Sequence, residues 1–218
     1  MSLKDQLLQP ALDQLAKTVS GVKFTTVLDN IKKKISPKIT EEEKDQIKEL
    51  MKTGHYVFLT SDKNSLSSFL VSLMTFIKIG KWPSYTHAFL NVDVWGNENE
   101  LDFVEGVYPK VKHSKFDEVF DCSNVCVLKA TNLDSTEWER VTKEAMSHVG
   151  RSYDSAFDIK DATRLSCVET VYLALASVPD AHQQFPDFLK RVQEVGNIAP
   201  QMYRDSPDFE VMLEFKSK

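Results

Sequence analysis

Residues 165–180 read "LSCVETVYLALASVPD", and the position of one cysteine in that run decides how the chain is organised. Ser166, with Glu169 three positions on, fits the capping-box pattern, in which the two side chains satisfy two backbone N–H groups at a helix start. Val168, Val171, Tyr172 and Leu175 then recur at helical spacing and form an inward stripe. Cys167 is therefore the first residue of the helix. There the unpaired N–H groups and the helix dipole favour a thiolate, and the same N–H groups can hold an oxyanion. Glu169 is a nearby negative charge, so its side chain is expected to turn away toward the cap. A small buried apolar residue would suit the same place. A nucleophile also needs a base, and a group to orient that base.

The chain has five histidines. His87 lies in "YTHAFLNV" at the start of a strand whose alternation puts His87, Phe89 and Asn91 on one face and Ala88, Leu90 and Val92 on the other. A strand holds a side chain more firmly than a loop, which favours His87 for a rigid site. His55 follows a glycine at a strand start, His113 reads as part of a charged loop, His148 sits near a helix end, and His182 reads as part of a Pro-rich loop. In "LDFVEGVYP", Leu101, Phe103 and Glu105 share one face, and a "GNEN" turn would pair this strand with that of His87. A carboxylate there can bond the far imidazole nitrogen and fix its tautomer. Glu105 is the natural choice, with Asp102 and Glu100 as substitutes.

The 218 residues are 42% apolar, enough to bury a core of one domain or two. A net charge of −5 favours a grip on neither nucleic acid nor anionic lipid. No apolar run approaches the roughly 20 residues of a bilayer span, so no transmembrane segment is expected. The N-terminus "MSLKDQLLQPALDQLAKTV" has no unbroken apolar segment of the secretory kind. Three uncrowded cysteines argue for a reducing, cytoplasmic compartment rather than a disulfide framework. The pair in "DCSNVC", Cys122 and Cys126, lacks a second Cys/His pair to complete a metal site. It reads as two half-buried sheet residues. No metal or other cofactor is expected.

The first fifty residues read as helical. Thr40 is placed to cap a helix beginning at Glu41 and Gly54 to end it. Strands are expected at "YVFLT", "THAFLNVDVW", "ELDFVEGVY", "VCVLKA" and, last, "FEVMLEF". Helices are expected at "SLSSFLVSLMTFIKIG", most simply a core element, at "DSTEWERVTKEAMSHVG" with Asp134 as N-cap, and at the Cys167 segment. The pattern is that of an α+β domain, a small mixed sheet packed with helices.

Taken in order, "YTHAFLNV", "FVEGV", "GRSYDSAFDIKDATRLSCVETVY" and "NIAPQMYRDSPDFEVM" resemble the circularly permuted papain-like amidases of the YiiX type, relatives of the NlpC peptidases and, more distantly, of the lecithin–retinol acyltransferases. The resemblance runs from about Gly54 to Phe215. It implies a papain-like, permuted NlpC-type catalytic domain over residues 51–218, with residues 1–50 as a helical extension packed on it. It further implies Cys167 as nucleophile, His87 as base and Glu105 as orienting acid. Tyr153 and Ser166 join the site as substrate-binding residues, Tyr153 donating a hydrogen bond near the reacting carbonyl. "GHYVFLT" departs from the family in carrying His55 and Tyr56 after the glycine, where an aspartate is common. The implied function is a cysteine hydrolase, a thiol-protease-like amidase, acting on a small amide, peptide or lipid-like acyl substrate. An acyltransferase or lipid thioesterase would use the same triad. A binding or structural module would keep the fold without the chemistry.

Overall fold

The computed structural model describes residues 37–62, 66–93, 102–154 and 163–217. The expected helical periodicity before residue 37 and the "GNEN" turn lie outside the described residues. Helix α1 (Glu41–Met51) starts where the sequence places it: Glu43 N–H donates to Thr40 Oγ1 at 3.2 Å, and Thr40 N–H to the Glu43 carboxylate at 2.7 Å. It ends at Met51, ahead of Gly54, and residues 37–40 before it are not helical.

One eight-stranded mixed sheet organises the rest. Its strands are β1 (Val57–Ser61), β2 (His87–Asn91), β3 (Asp102–Val107), β4 (Lys110–Lys115), β5 (Asn124–Ala130), β6 (Ser152–Tyr153), β7 (Arg164–Leu165) and β8 (Phe209–Lys216). Across the sheet the order is β7-β6-β4-β3-β2-β1-β5-β8. Every pairing is antiparallel except β6 with β7. β1 is central and buried on both faces, as an unbroken apolar run such as "VFL" requires.

Period-two alternation divides the core into two layers. On one face Phe58, Phe89, Phe103, Val125 and Val127 meet Ile47 and Met51 of α1 and Phe116 of the short helix α3 (Phe116–Val119). The rings of Phe58, Phe89, Phe103 and Phe120 pack mostly edge to face at 5.4–5.8 Å. On the other face Val57, Leu59, Ala88, Leu90, Val104 and Leu128 pack beneath helices α4 (Ser135–Ser147), α5 (Cys167–Ala176), α7 (Pro186–Val195) and α8 (Pro200–Asp205).

Four readings need correction. His113 lies in β4, and His182 in the short helix α6 (Ala181–Gln184). Only Val111 and Ser114 of "KVKHSK" are buried, so β4 has no apolar alternation to announce it. Cys126 is fully buried in β5 rather than half-buried, and Cys122 is buried just before that strand. Helix α2 (Leu66–Ile79) forms as expected but is not a plain core element, since Phe69 and Phe76 are about half exposed.

α5 crosses the sheet with its first turn against β3. A Cβ built on Gly106 would lie 2.8 Å from the carbonyl carbon and oxygen of Ser166 and 2.9 Å from the Cys167 nitrogen. Those are backbone atoms of a capped helix and cannot turn aside. Gly106→Ala is expected to destabilise the fold by about 1–3 kcal/mol, measured by urea unfolding. An unchanged midpoint would mean that the helix start is free to move.

Candidate active site

Antiparallel pairing of β2 and β3 sets Phe89 opposite Glu105, so Glu105 and His87 lie diagonally on one face at the end of their strands. His87 Nε2 and Glu105 Oε2 are 2.6 Å apart. The carboxylate is buried, and the ring keeps 23% of its surface exposed. Glu105 is held from its other side by β4: Ser114 Oγ donates to Oε1, and Lys112 Nζ stands 3.6 Å from the same oxygen. With Nε2 taken by Glu105, Nδ1 is the nitrogen left for another partner.

Cys167 opens α5 at 2% exposure. Its cap is the one expected: Ser166 N–H donates to Glu169 Oε2 at 2.8 Å and Glu169 N–H to Ser166 Oγ at 3.4 Å. Glu169 therefore turns back onto the cap. Ser166 is fully buried with its hydroxyl taken up by the cap. The N–H groups of Cys167 and Val168, in the first turn, have no intrahelical acceptor. α5 lies over the opposite face of the sheet from His87 and Glu105. Only its first turn, seated on Gly106 at the strand ends, can meet them.

The electrostatics join the three side chains. Burial by itself would lower the His87 pKa, but hydrogen bonding and charge from Cys167 and from Glu105 outweigh it and raise it to about 10. Burial likewise opposes ionisation of Glu105, yet its bond to His87, the charge of His87, Ser114 and Lys112 bring its pKa down to about 2. Two phenols lie within electrostatic reach of Cys167. Burial first, then the charge of Cys167, raises the pKa of both Tyr153 and Tyr203, which stay neutral. Tyr153 is half-buried on β6. Tyr203 donates to the Val168 carbonyl at 2.9 Å and so ties α8 to the first turn of α5.

The structure thus brings Cys167, His87, Glu105 and Tyr153 together. Glu100 and the side chain of Asp102, the substitutes the sequence offered for Glu105, lie outside the described residues. The sequence reading missed Ser114, Lys112, Tyr203 and Gly106. Ser114 and Lys112 were hidden with β4. Gly106 stood in "VEGV", where a glycine inside a strand signals close backbone approach.

These features define an α+β protein with a Cys/His/carboxylate cluster at a helix start and a strand end. No family model matches the chain, and no curated protein does. In fold it is similar to the solved structure of the metalloprotein yiiX from Escherichia coli O157:H7, a DUF1105 protein, at a TM-score of 0.51 and 15% identity, over 75% of this chain and 97% of that one. The fold is YiiX-like. The metal belongs to the description of that protein; among the described residues of this chain no three His, Cys, Asp or Glu side chains are grouped to hold a metal ion.

Two outcomes follow. Burial pushes the Cys126 thiol up to about 12, so iodoacetamide near neutral pH should modify Cys167 well before Cys126; peptide mapping giving equal rates would refute the special environment of Cys167. The second concerns stability. The Glu105 contribution is present above its unfolded value near 4.5 and lost as pH falls through about 2. The His87 contribution is present below 6.5 and lost as pH rises through about 10. The stability gap between the native protein and Glu105→Gln should therefore be widest between about pH 4.5 and 6.5 and shrink on either side, as read by urea unfolding across pH.

Proposed function

We propose that this chain is a cysteine hydrolase of amide or related acyl bonds, working on a permuted papain-like form of its fold with residues 51–218 as the catalytic domain. The observation that carries the reading is the 2.6 Å contact of His87 with a buried, three-partner Glu105, with Cys167 as the ring's other polar neighbour at a capped helix start.

In this reading Glu105 holds the proton on Nε2, which leaves Nδ1 as the base. The Cys167 proton resides on His87, as the raised pKa of the ring favours, and the sulfur attacks the substrate carbonyl. The N–H groups of Cys167 and Val168 stabilise the oxyanion, and the neutral Tyr153 hydroxyl donates beside it. Collapse of the tetrahedral adduct breaks the C–N bond, and His87 gives its proton to the leaving amine. Water, deprotonated by the same ring, then attacks the thioester and releases the acid and the free thiol. Ser166 acts through the cap that fixes Cys167. Gly106 lets the first turn of α5 sit close on β3, since a Cβ there would lie 2.9 Å from the Cys167 nitrogen.

An acyltransferase or lipid thioesterase with the same three residues would require an apolar channel beside Cys167. A cytoplasmic setting accords with the three unpaired cysteines.

The members of a triad act as a unit. Cys167→Ala and His87→Ala are expected to lower kcat/KM on a cleavable acyl or amide probe by at least about 10²–10⁴-fold. Glu105→Gln should leave measurable turnover, because an amide still orients the ring but stabilises the imidazolium less. Full activity in Cys167→Ala would place the chemistry elsewhere.

A further inference from the structure

A cavity of about 370 Å³ opens between α2, the end of β1, the start of β5 and the segment that leads into β2. Its size is at the low end of ligand pockets, about 300–1,000 Å³, with room for one ring rather than an extended chain. Most such pockets have apolar walls, but this one is polar. Ser61, Asp62, Ser72, Thr86 and Asn124 line it, each more than nine-tenths buried. Phe69 and Trp82, each about half exposed, add aromatic surface at the mouth, with their ring centroids 6.0 Å apart.

Part of this polar wall is satisfied from within the chain. Ser61 Oγ donates to the Ser84 carbonyl at 2.9 Å and accepts from Asn124 Nδ2 at 2.8 Å, and Thr86 Oγ1 donates to Ser68 Oγ at 3.0 Å. The rest lacks partners. The Ser72 hydroxyl, on a residue 6% exposed, has no hydrogen-bond partner among the described residues. Asn124 Oδ1 is buried and has none either. The Asp62 carboxylate receives Lys38 on Oδ2 at 3.3 Å and Ser123 on Oδ1 at 3.1 Å, two of the roughly four sites a carboxylate offers. Buried polar groups in native proteins are almost always partnered, so this wall is set for hydrogen bonds from outside the chain. The charges, in contrast, are matched. Asp62 pairs with Lys38, and Lys216, on the same wall, pairs with Glu214 at 3.1 Å.

We infer that this cavity binds a neutral polyhydroxylated ring of monosaccharide size. A sugar hydroxyl both donates and accepts, as serine and threonine hydroxyls do, so it can supply whichever half of the bond the wall lacks. The C–H face of such a ring is apolar and covers aromatic surface of the kind Phe69 and Trp82 present. Water alone would fill the polar floor and leave those two rings wet. A lipid chain would cover the rings and strand the hydroxyls. A charged ligand would be buried without a counter-charge, since Asp62 and Lys216 are already paired. Cys167, His87 and Glu105 do not line this cavity, so it is a site separate from the chemistry proposed for Cys167.

The test is a titration of the full chain with glucose, galactose, mannose or myo-inositol, followed by saturation transfer from protein to ligand in NMR. At least one of these is expected to saturate the signal in the millimolar range or below. Trp82→Ala should weaken that binding by about tenfold, and Ser72→Ala by about threefold or more. Alanine is the better helix former, so Ser72→Ala should leave the far-ultraviolet circular dichroism unchanged. Met146→Ser, at an exposed apolar residue outside the cavity, should bind as the native protein does. Saturation by none of the four probes would overturn the inference. So would native-like binding by either cavity variant, or an equal loss in Met146→Ser. Tighter binding of glucosamine, glucuronate or N-acetylalanine methylamide than of any neutral ring would overturn it as well.

Discussion

At Gly106 the backbone of β3 and the first turn of α5 share a space that one methyl group would fill. The site depends on that contact. Cys167 belongs to a helix on one face of the sheet, and His87 and Glu105 point to the other, so a helix lying at ordinary distance across the strands would keep the thiol from the imidazole. Close approach at the strand end brings the helix terminus level with the sheet edge, where side chains from both faces can meet. The capping box of Ser166 and Glu169 makes that terminus a fixed point rather than a fraying one. Tyr203 braces it from α8 through the Val168 carbonyl.

The second constraint is electrostatic. A buried carboxylate is costly unless hydrogen-bonded and paired, and Glu105 meets that condition with three partners from two strands. Removing any one of them would leave part of that charge uncompensated, so the network specifies the orientation of His87 as well as stabilising it. β4 supplies Ser114 and Lys112, which hold the Glu105 carboxylate where it meets His87 Nε2.

Local signals made much of this legible. The caps of α1, α4 and α5 follow from residue types at fixed spacing, and the structure forms all three capping boxes. The alternation in "YTHAFLNV" gave the face of His87, and the pairing of its strand with that of Glu105 followed from chain order. What stayed hidden was long-range or lacked a period. β4 has charged residues where a strand usually alternates, so Ser114 and Lys112 could not be assigned to the site. The role of Gly106 requires knowing which element crosses above it. Tyr203 reaches α5 through a hydrogen bond between residues 35 positions apart, for which the sequence carries no signal.

α2 shows how a correct local reading can still mislead about environment. Its periodicity is helical and its composition apolar, which together suggest burial, and the helix does form. The face that is buried, however, is decided by what the sheet presents. Beside α2 the sheet presents hydroxyls and polar termini: Ser61, Thr86, whose Oγ1 donates to Ser68 Oγ at 3.0 Å, and Asn124. A polar neighbour draws the serine and threonine stripe inward and leaves the phenylalanines facing out. The apolar face of an amphipathic helix points to the core only when the core is the most apolar surface within reach. Here the fold supplies a polar one, and Phe69 and Phe76 stay about half exposed.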